Sequence, residues 1–272
     1  MSTDNNHPGE VLAIKNLTVD FGGVRAVNDF SLTLQTGEMV ALIGPNGAGK
    51  TTVFNLITNA FKPTSGEILL NGKSVLGKSP DEICRMGISR TFQNIRLFPQ
   101  MTAYENVELG LHSTPHYSLA EAFIRTPRAR RAEINARKRA LELLEMVNLK
   151  DHAKAQAGSM PYGLQRRLEI ARAMATSPQL LLLDEPAAGM NEDECNDLIN
   201  LIRQIHTAMK YSIIVIEHHM AVVMELCKDS RIYVLSLGSL LASGTPTEIQ
   251  NNPEVIKAYL GERKNARENA SA

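Results

Sequence analysis

The sequence predicts an α/β fold in three parts: a core of strands and helices, an antiparallel β layer at the N-terminus, and a helical subdomain inserted into the core. Three observations predict it. The apolar run Met39-Val40-Ala41-Leu42-Ile43 leads into a glycine-rich loop and then into a helical stretch from Val53 to Ile57. The runs Leu180–Leu183 and Ser212–Ile216 have the length and composition of buried central strands, and each ends on polar, ionisable residues. From about Asn94 to Gly158 helical periodicity replaces every strand signal.

Taken in order, Val11–Ile14 and Leu17–Phe21 read as two strands before a turn at Gly22-Gly23, and Ala26–Leu34 alternates as a half-buried antiparallel strand does. Thr36-Gly37-Glu38 turns into the strand at Met39. Lys62–Gly66 is a turn and Glu67–Leu70 a strand. Ser79-Pro80-Asp81-Glu82 carries a cap, a proline at the first helical position and a glutamate three residues on, so a helix starts there and ends near Gly87. Ile88–Gln93 reads as a strand ending on a polar residue. In the helical block, Thr102–Leu111 is a helix, residues 112–118 a loop, and Arg128–Asn148 a helix with Ile134, Leu141, Leu144 and Val147 as its apolar stripe. Its arginines and lysine (Arg125, Arg128, Arg130, Arg131, Arg137, Lys138, Arg139) read as a solvated face, or else as a surface for a partner or anionic lipid. Pro161 to about Ala175 is helical. Asn191, with Glu194 three residues on, caps a helix to Lys210 whose apolar side holds Leu198, Leu201, Ile202, Ile205 and Met209. Arg231–Ala242 gives two strands around Gly238, Thr245-Pro246-Thr247-Glu248 a capping box, and Asn252-Pro253 the start of a last helix toward Leu260.

Composition narrows the function classes. The chain has 272 residues, with 29 Lys+Arg against 29 Asp+Glu, so global charge gives no argument for a nucleic-acid partner. Three scattered cysteines form no metal-binding or redox pair. The polar N-terminus lacks the apolar segment of a signal peptide, and no apolar run approaches the roughly 20 residues that span a bilayer. Any membrane role is therefore expected to run through a partner. No internal repeat appears, so one domain is expected over residues 10–260, with the helical subdomain at about 94–178 and a polar tail at 261–272.

The chemistry begins at Gly44-Pro45-Asn46-Gly47-Ala48-Gly49-Lys50-Thr51-Thr52, which fits G-x-x-x-x-G-K-[ST] in the strand–loop–helix setting the motif needs. Glycines let consecutive N–H groups curl around phosphate oxygens at a helix N-terminus. Lys50 can reach the β- and γ-phosphates of a nucleotide, and the Thr51 hydroxyl can ligate Mg²⁺. Asp184 and Glu185 close the apolar run from Leu180, at the sheet edge where open α/β folds place their sites. Asp184 is then a candidate for Mg²⁺ and Glu185 for orienting an attacking water. His218 closes the run from Ser212 and can hydrogen-bond a γ-phosphate, a role for which His219 competes. Gln93 can place its amide near the metal or the water.

These motifs, in this order, resemble the ABC ATPases: the loop at Gly44–Thr51, Gln93 in Thr-Phe-Gln, Leu180–Glu185, His218 after Ile-Glu, and Leu168-Glu169-Ile170-Ala171-Arg172-Ala173. The likeness covers about residues 10–260. Arg90–Gln93, Arg166–Arg172, Asp184–Gly189 and Asn252–Gly261 extend it to the branch that serves branched-chain amino acid import. It implies a P-loop NTPase (RecA-like) core and ATP with Mg²⁺ as ligands. It also implies an adenine-stacking role for Phe21, whose alternative is edge packing. It implies a second ABC ATPase subunit, two integral membrane permeases, a solute-binding protein beyond the membrane, and a place on the cytoplasmic membrane face.

The family's signature loop, read Leu-Ser-Gly-Gly-Gln, would act across a dimer on the partner's nucleotide. Here it stands as Met160-Pro161-Tyr162-Gly163-Leu164: the glycine is kept, the serine and glutamine are not. Two rival functions stand beside this reading: an ABC-type ATPase acting on nucleic acid or ribosomes, and a simple P-loop phosphotransferase. The first usually brings paired cassettes or long coiled coils, which this chain lacks. The second gives no reason for Gln93, Gly163 and His218 together.

Overall fold

The structure, a computed structural model, describes residues 9–112 and 126–260. Two sheets organise it. β1 (Glu10–Phe21), β2 (Val24–Gln35), β4 (Ser65–Leu70) and β5 (Lys73–Ser74) form an antiparallel sheet in the order β2-β1-β4-β5. β3 (Met39–Ile43), β6 (Ile88–Arg90), β7 (Leu180–Asp184), β8 (Ser212–Ile216), β9 (Ile232–Ser236) and β10 (Ser239–Gly244) form the second, in the order β10-β9-β3-β8-β7-β6. All its pairings are parallel except that of the edge strand β10.

Side-chain alternation along the central strands makes two cores. Val40, Leu42, Leu180, Leu182, Ile214 and Ile216 pack toward the antiparallel sheet and α1 (Lys50–Ile57). Their neighbours Ala41, Ile43, Leu181, Leu183, Ile213 and Val215 pack toward the other helices. Each fully buried Leu or Ile adds about 1.5–3 kcal/mol relative to exposure, so these strands have one stable register. Between β6 and β7 the named elements are all helical: α3 (Ala103–Leu111), α4 (Pro127–Met146), two short 3₁₀ turns and α5 (Tyr162–Ala175). α2 (Pro80–Met86) precedes β6, while α6 (Glu192–Met209), α7 (Met220–Leu226) and α8 (Pro246–Gln250) follow β7; residues 253–260 are helical.

The local start signals hold. Ser79–Glu82, Asn191–Glu194 and Thr245–Glu248 all close reciprocal capping boxes, as does Thr102–Glu105 ahead of α3. Other expectations need correction. The two N-terminal strands are one, β1, with a register shift between Ile14 and Leu17. Asn16 permits this by adopting φ 49° and bonding Asp29 across the pair. β6 stops at Arg90, and Gln93 lies beyond it in a loop whose carbonyls are claimed by another helix. In α4, Ile134 is 67% exposed and Leu143 is buried, so the stripe sits further along the helix, where α3 and α5 provide a surface to pack against. Pro161 is the N-cap of α5 rather than its first residue, since its ψ of 150° is extended. The α4 basic residues Arg130, Arg131, Arg137 and Lys138 are exposed, with Lys138 and Arg139 beside Glu142. Arg125 and residues 113–118 of the expected loop lie outside the described residues.

Registry positions the chemistry. Leu42 of β3 and Asp184 of β7 both pair with Ile216 of β8, so these strands end level at their carboxyl edge. Arg90 of β6 pairs with Leu182, which brings the segment after it to the same edge.

Candidate active site

The glycine-rich loop closes on its own lysine. Lys50 is buried, and its Nζ donates to the carbonyls of Gly44 at 2.7 Å and Pro45 at 2.9 Å. Gly49 has φ 102°, and a Cβ there would stand 2.6 Å from the Ala26 carbonyl oxygen, so only glycine fits. The loop is also fastened from outside: Gly238 N–H donates to the Ala48 carbonyl and Asn28 N–H to that of Gly238. The β9–β10 turn and β2 thus hold Gly44–Thr52 at the N-terminus of α1. Thr51 is exposed at that end and Thr52 half-buried.

Two of the residues expected to act converge on the carboxylate of a third, Glu185. Gln93 Nε2 donates to Glu185 Oε2 at 2.9 Å, and His218 Nδ1 lies 3.6 Å from the same oxygen. Glu185 takes φ 46°, a left-handed conformation that costs a non-glycine residue roughly 1–3 kcal/mol. Its N–H is tied to the Ile216 carbonyl and its carbonyl to Ala188 N–H, which holds the bend in place. His219 is turned to another acid, with Nδ1 at 3.8 Å from Glu217 Oε2, so of the two histidines it is His218 that lies beside Glu185.

Other charged residues that sequence reasoning assigned no role hold this arrangement. Arg90 donates to Asp184 Oδ2 at 2.7 Å and to Asn55 Oδ1 at 2.7 Å, both carboxylate and guanidinium being nearly sealed from solvent. Glu217 is fully buried; it accepts from Ala187 N–H at 2.8 Å and from His218 N–H at 3.1 Å. It therefore ties the loop after β7 to the loop after β8. Arg166, on α5, reaches the carbonyls of Phe92 and Gln93. The visible signal for each was a charge inside or next to an apolar run, which names no partner.

Asp184, Thr51 and Gln93 fit a magnesium ion by the chemistry of their donors. With Oδ2 engaged by Arg90 and Nε2 by Glu185, Asp184 keeps its second carboxylate oxygen and Gln93 its amide oxygen. These and the Thr51 hydroxyl are the hard oxygen donors that Mg²⁺ takes.

The remaining expected site residues are not gathered here. Phe21 ends β1, half-exposed, with its ring edge-on to Phe61 at 5.3 Å. It shares the sheet that sets Ala26 against Gly49, but its ring contact is the packing one. The loop Met160–Leu164 opens α5. Met160 is buried, Pro161 supplies no side-chain cap, and Gly163 leaves room beside Glu194. Tyr162 is connected inward, its hydroxyl accepting from Arg166 at 3.2 Å.

A P-loop motif at a parallel sheet edge, one strand removed from a paired Asp-Glu whose glutamate meets a glutamine and a histidine, defines a P-loop ATPase. The ABC transporter family matches residues 27–188, and a family described as branched-chain amino acid ATP-binding cassette transporter matches residues 239–265. The chain belongs to the ABC transporter ATP-binding family. It is 49% identical over 252 residues to the high-affinity branched-chain amino acid transport ATP-binding protein LivG of Salmonella typhimurium, covering 93% of this chain and 98% of that protein. It is 46% identical, with the same coverage, to the corresponding protein BraF of Pseudomonas aeruginosa. Among solved structures, the ADP conformation of an ATP-binding cassette of an ABC transporter superposes with TM-score 0.78 at 28% identity, covering 93% of this chain and 99% of that one. Among the described residues no helix is long and apolar enough to cross a membrane.

Proposed function

We propose that this chain is the ATP-hydrolysing subunit of an importer for branched-chain amino acids. The observation that carries the catalytic reading is the meeting of Gln93 and His218 on Glu185 at the same sheet edge as the Lys50 loop. The solute is supported by what the relatives are called and by the C-terminal family match.

In this reading the N–H groups of Gly44–Thr52 and the Lys50 ammonium hold the β- and γ-phosphates, and Phe21 packs on the adenine. Glu185 orients the attacking water and polarises it, Gln93 fixes the carboxylate, and His218 donates to the γ-phosphate. Little covalent chemistry is asked of the protein; position and charge lower the barrier. Thr51, Asp184 and Gln93 would hold Mg²⁺, which when bound offsets phosphoryl charge.

We read residues 10–260 as one cassette with a helical subdomain at about 94–178. It would pair with a second ATPase subunit, whose nucleotide Met160–Leu164 would meet in trans. Two permeases would carry the solute delivered by a binding protein, with the cassette peripheral on the cytoplasmic face. A cleft of about 610 Å³ between the core and the helical block, lined in part by Asn55, Arg90, Phe92, Arg96, Leu109 and Arg172, adjoins Gln93's loop and is where we place the permease contact. ATP then couples to transport by binding the closed pair better than the open one.

Deleting the gene should impair uptake of leucine, isoleucine or valine at low external concentration, measured with radiolabelled solute. Normal uptake of all three, with loss of a different solute such as urea or an amide, would contradict the assignment.

A further inference from the structure

The segment that carries Gln93 is gripped by α5 rather than by the sheet it has just left. β6 has ended three residues earlier, and the main-chain groups after it must find partners. Arg166 Nη1 donates to the Phe92 carbonyl at 2.7 Å and to Glu169 Oε2 at 2.8 Å; Nη2 donates to the Gln93 carbonyl at 2.7 Å and to the Tyr162 hydroxyl at 3.2 Å. Glu169 Oε1 accepts from Arg96 N–H at 3.1 Å and from Phe92 N–H at 3.4 Å. One ion pair, 0% and 1% exposed, therefore holds both ends of Phe92–Arg96.

Stability alone is a weak reason for this pair. A buried ion pair is often no better than apolar side chains of the same volume. Arg166 Nε is buried with no hydrogen-bond partner, a cost the site carries so that Nη1 and Nη2 can point at the carbonyls. What the pair achieves is geometric. The planar fork meets two successive carbonyls, and the second belongs to the residue whose amide lies 2.9 Å from Glu185.

We infer that Arg166, anchored by Glu169, is a positioning residue that acts through Gln93 on Glu185 and carries the placement of the Tyr162 loop to that carboxylate. Within one chain, Tyr162, Arg166, Gln93 and Glu185 form an unbroken hydrogen-bonded line. The inference rests on the reading of Gln93 and Glu185 as the hydrolytic pair. Because Tyr162 sits in the loop that serves the partner's nucleotide in that reading, the line makes hydrolysis at one site responsive to how the other is closed.

The test is steady-state ATPase of the full-length chain in the assembled complex, with ATP affinity followed by a fluorescent ATP analogue. Arg166→Lys keeps the charge opposite Glu169 but loses the planar fork. It should lower kcat about tenfold and leave KM and analogue binding within about twofold, because the phosphate contacts are untouched. Tyr162→Phe, a change at an exposed ring, should lower kcat about two- to threefold. Neither should lower activity further on a Gln93→Ala background, since each acts through Gln93. Multiplicative losses in the double variants, a rise in KM at unchanged kcat, or parent rates in both single variants would overturn the inference. Should Arg166→Lys fail to fold, the Tyr162→Phe and Gln93→Ala pair decides alone. Parent rates in Gln93→Ala and Glu185→Gln would instead remove the hydrolytic reading itself.

Discussion

At the scale of residues, charge placed out of water decides the site. Asp184 is 2% exposed and has Arg90 as its ionic partner, which also bonds Asn55 and lies over the Phe54 and Phe92 rings. Removing one member of such a pair strands the other, at a cost of about 3–5 kcal/mol. Arg90→Ala should therefore shift the chemical denaturation midpoint strongly downward, and Arg90→Lys much less. An unchanged midpoint for Arg90→Ala would show that water or another cation replaces the guanidinium. Buried cysteine behaves in the opposite, inert way: burial pushes the Cys227 thiol up to about 12, away from thiolate chemistry at neutral pH.

At the scale of elements, helix termini do most of the specifying. Glu105 closes the capping box of α3, and its bond from Thr102 N–H, then from the Thr102 hydroxyl, holds its carboxyl below the ordinary 4.5. A carboxylate lowered on folding adds stability that is complete above its unfolded value and lost as pH falls through the folded one. The thermal midpoint of the parent should therefore exceed that of Glu105→Gln at neutral pH, and the gap should shrink in acid below about pH 4.5. A gap that stays constant from neutral pH into acid would mean that the charge contributes nothing. α5 is the contrasting case. Its N-cap is Pro161, which offers neither a hydroxyl nor an N–H, so its first turn has no side-chain cap. A charge-assisted hydrogen bond to phosphate is worth about 1.5–3 kcal/mol, and in the proposed reading the loop would forgo one. Pro161→Ser should raise steady-state ATP turnover of the assembled complex; with a paralogous partner whose signature loop is intact, the site formed from the parent loop should be the slower of the two, and in a homodimer both sites should be slowed equally. Equal or lower turnover for Pro161→Ser would make proline an adapted choice.

At the scale of the molecule, what was legible in sequence was what is local along the chain. The Gly44–Thr52 loop came with its strand and helix, Ser79–Glu82 and Asn191–Glu194 with their caps, and β7 and β8 with their unbroken apolar runs. Contacts between distant segments were not legible. Arg90 to Asp184 spans 94 residues, Arg166 to Gln93 spans 73, and Glu217 to Ala187 spans 30. No periodicity encodes such pairs, because they follow from strand order and register. The same holds for the bend at Glu185, a non-glycine residue with positive φ that no turn signal announces. The misplaced stripe of α4 has a related cause: helical spacing gives a face, but only the neighbours α3 and α5 decide which turns are covered.

The Lys50 loop and the Glu185 carboxylate follow strands that end level at one sheet edge, and the proposed function turns on their holding phosphate and orienting water respectively. The most direct measurement is ATP hydrolysis and ATP binding of Glu185→Gln beside those of Lys50→Ala. The Glu185→Gln change keeps the side-chain volume and a contact to Gln93, so ATP should bind as in the parent while hydrolysis falls by about 10²–10⁴, the usual worth of a positioned general base. Lys50→Ala should instead weaken ATP binding itself. Hydrolysis at the parent rate by Glu185→Gln, with ATP bound normally, would contradict the account.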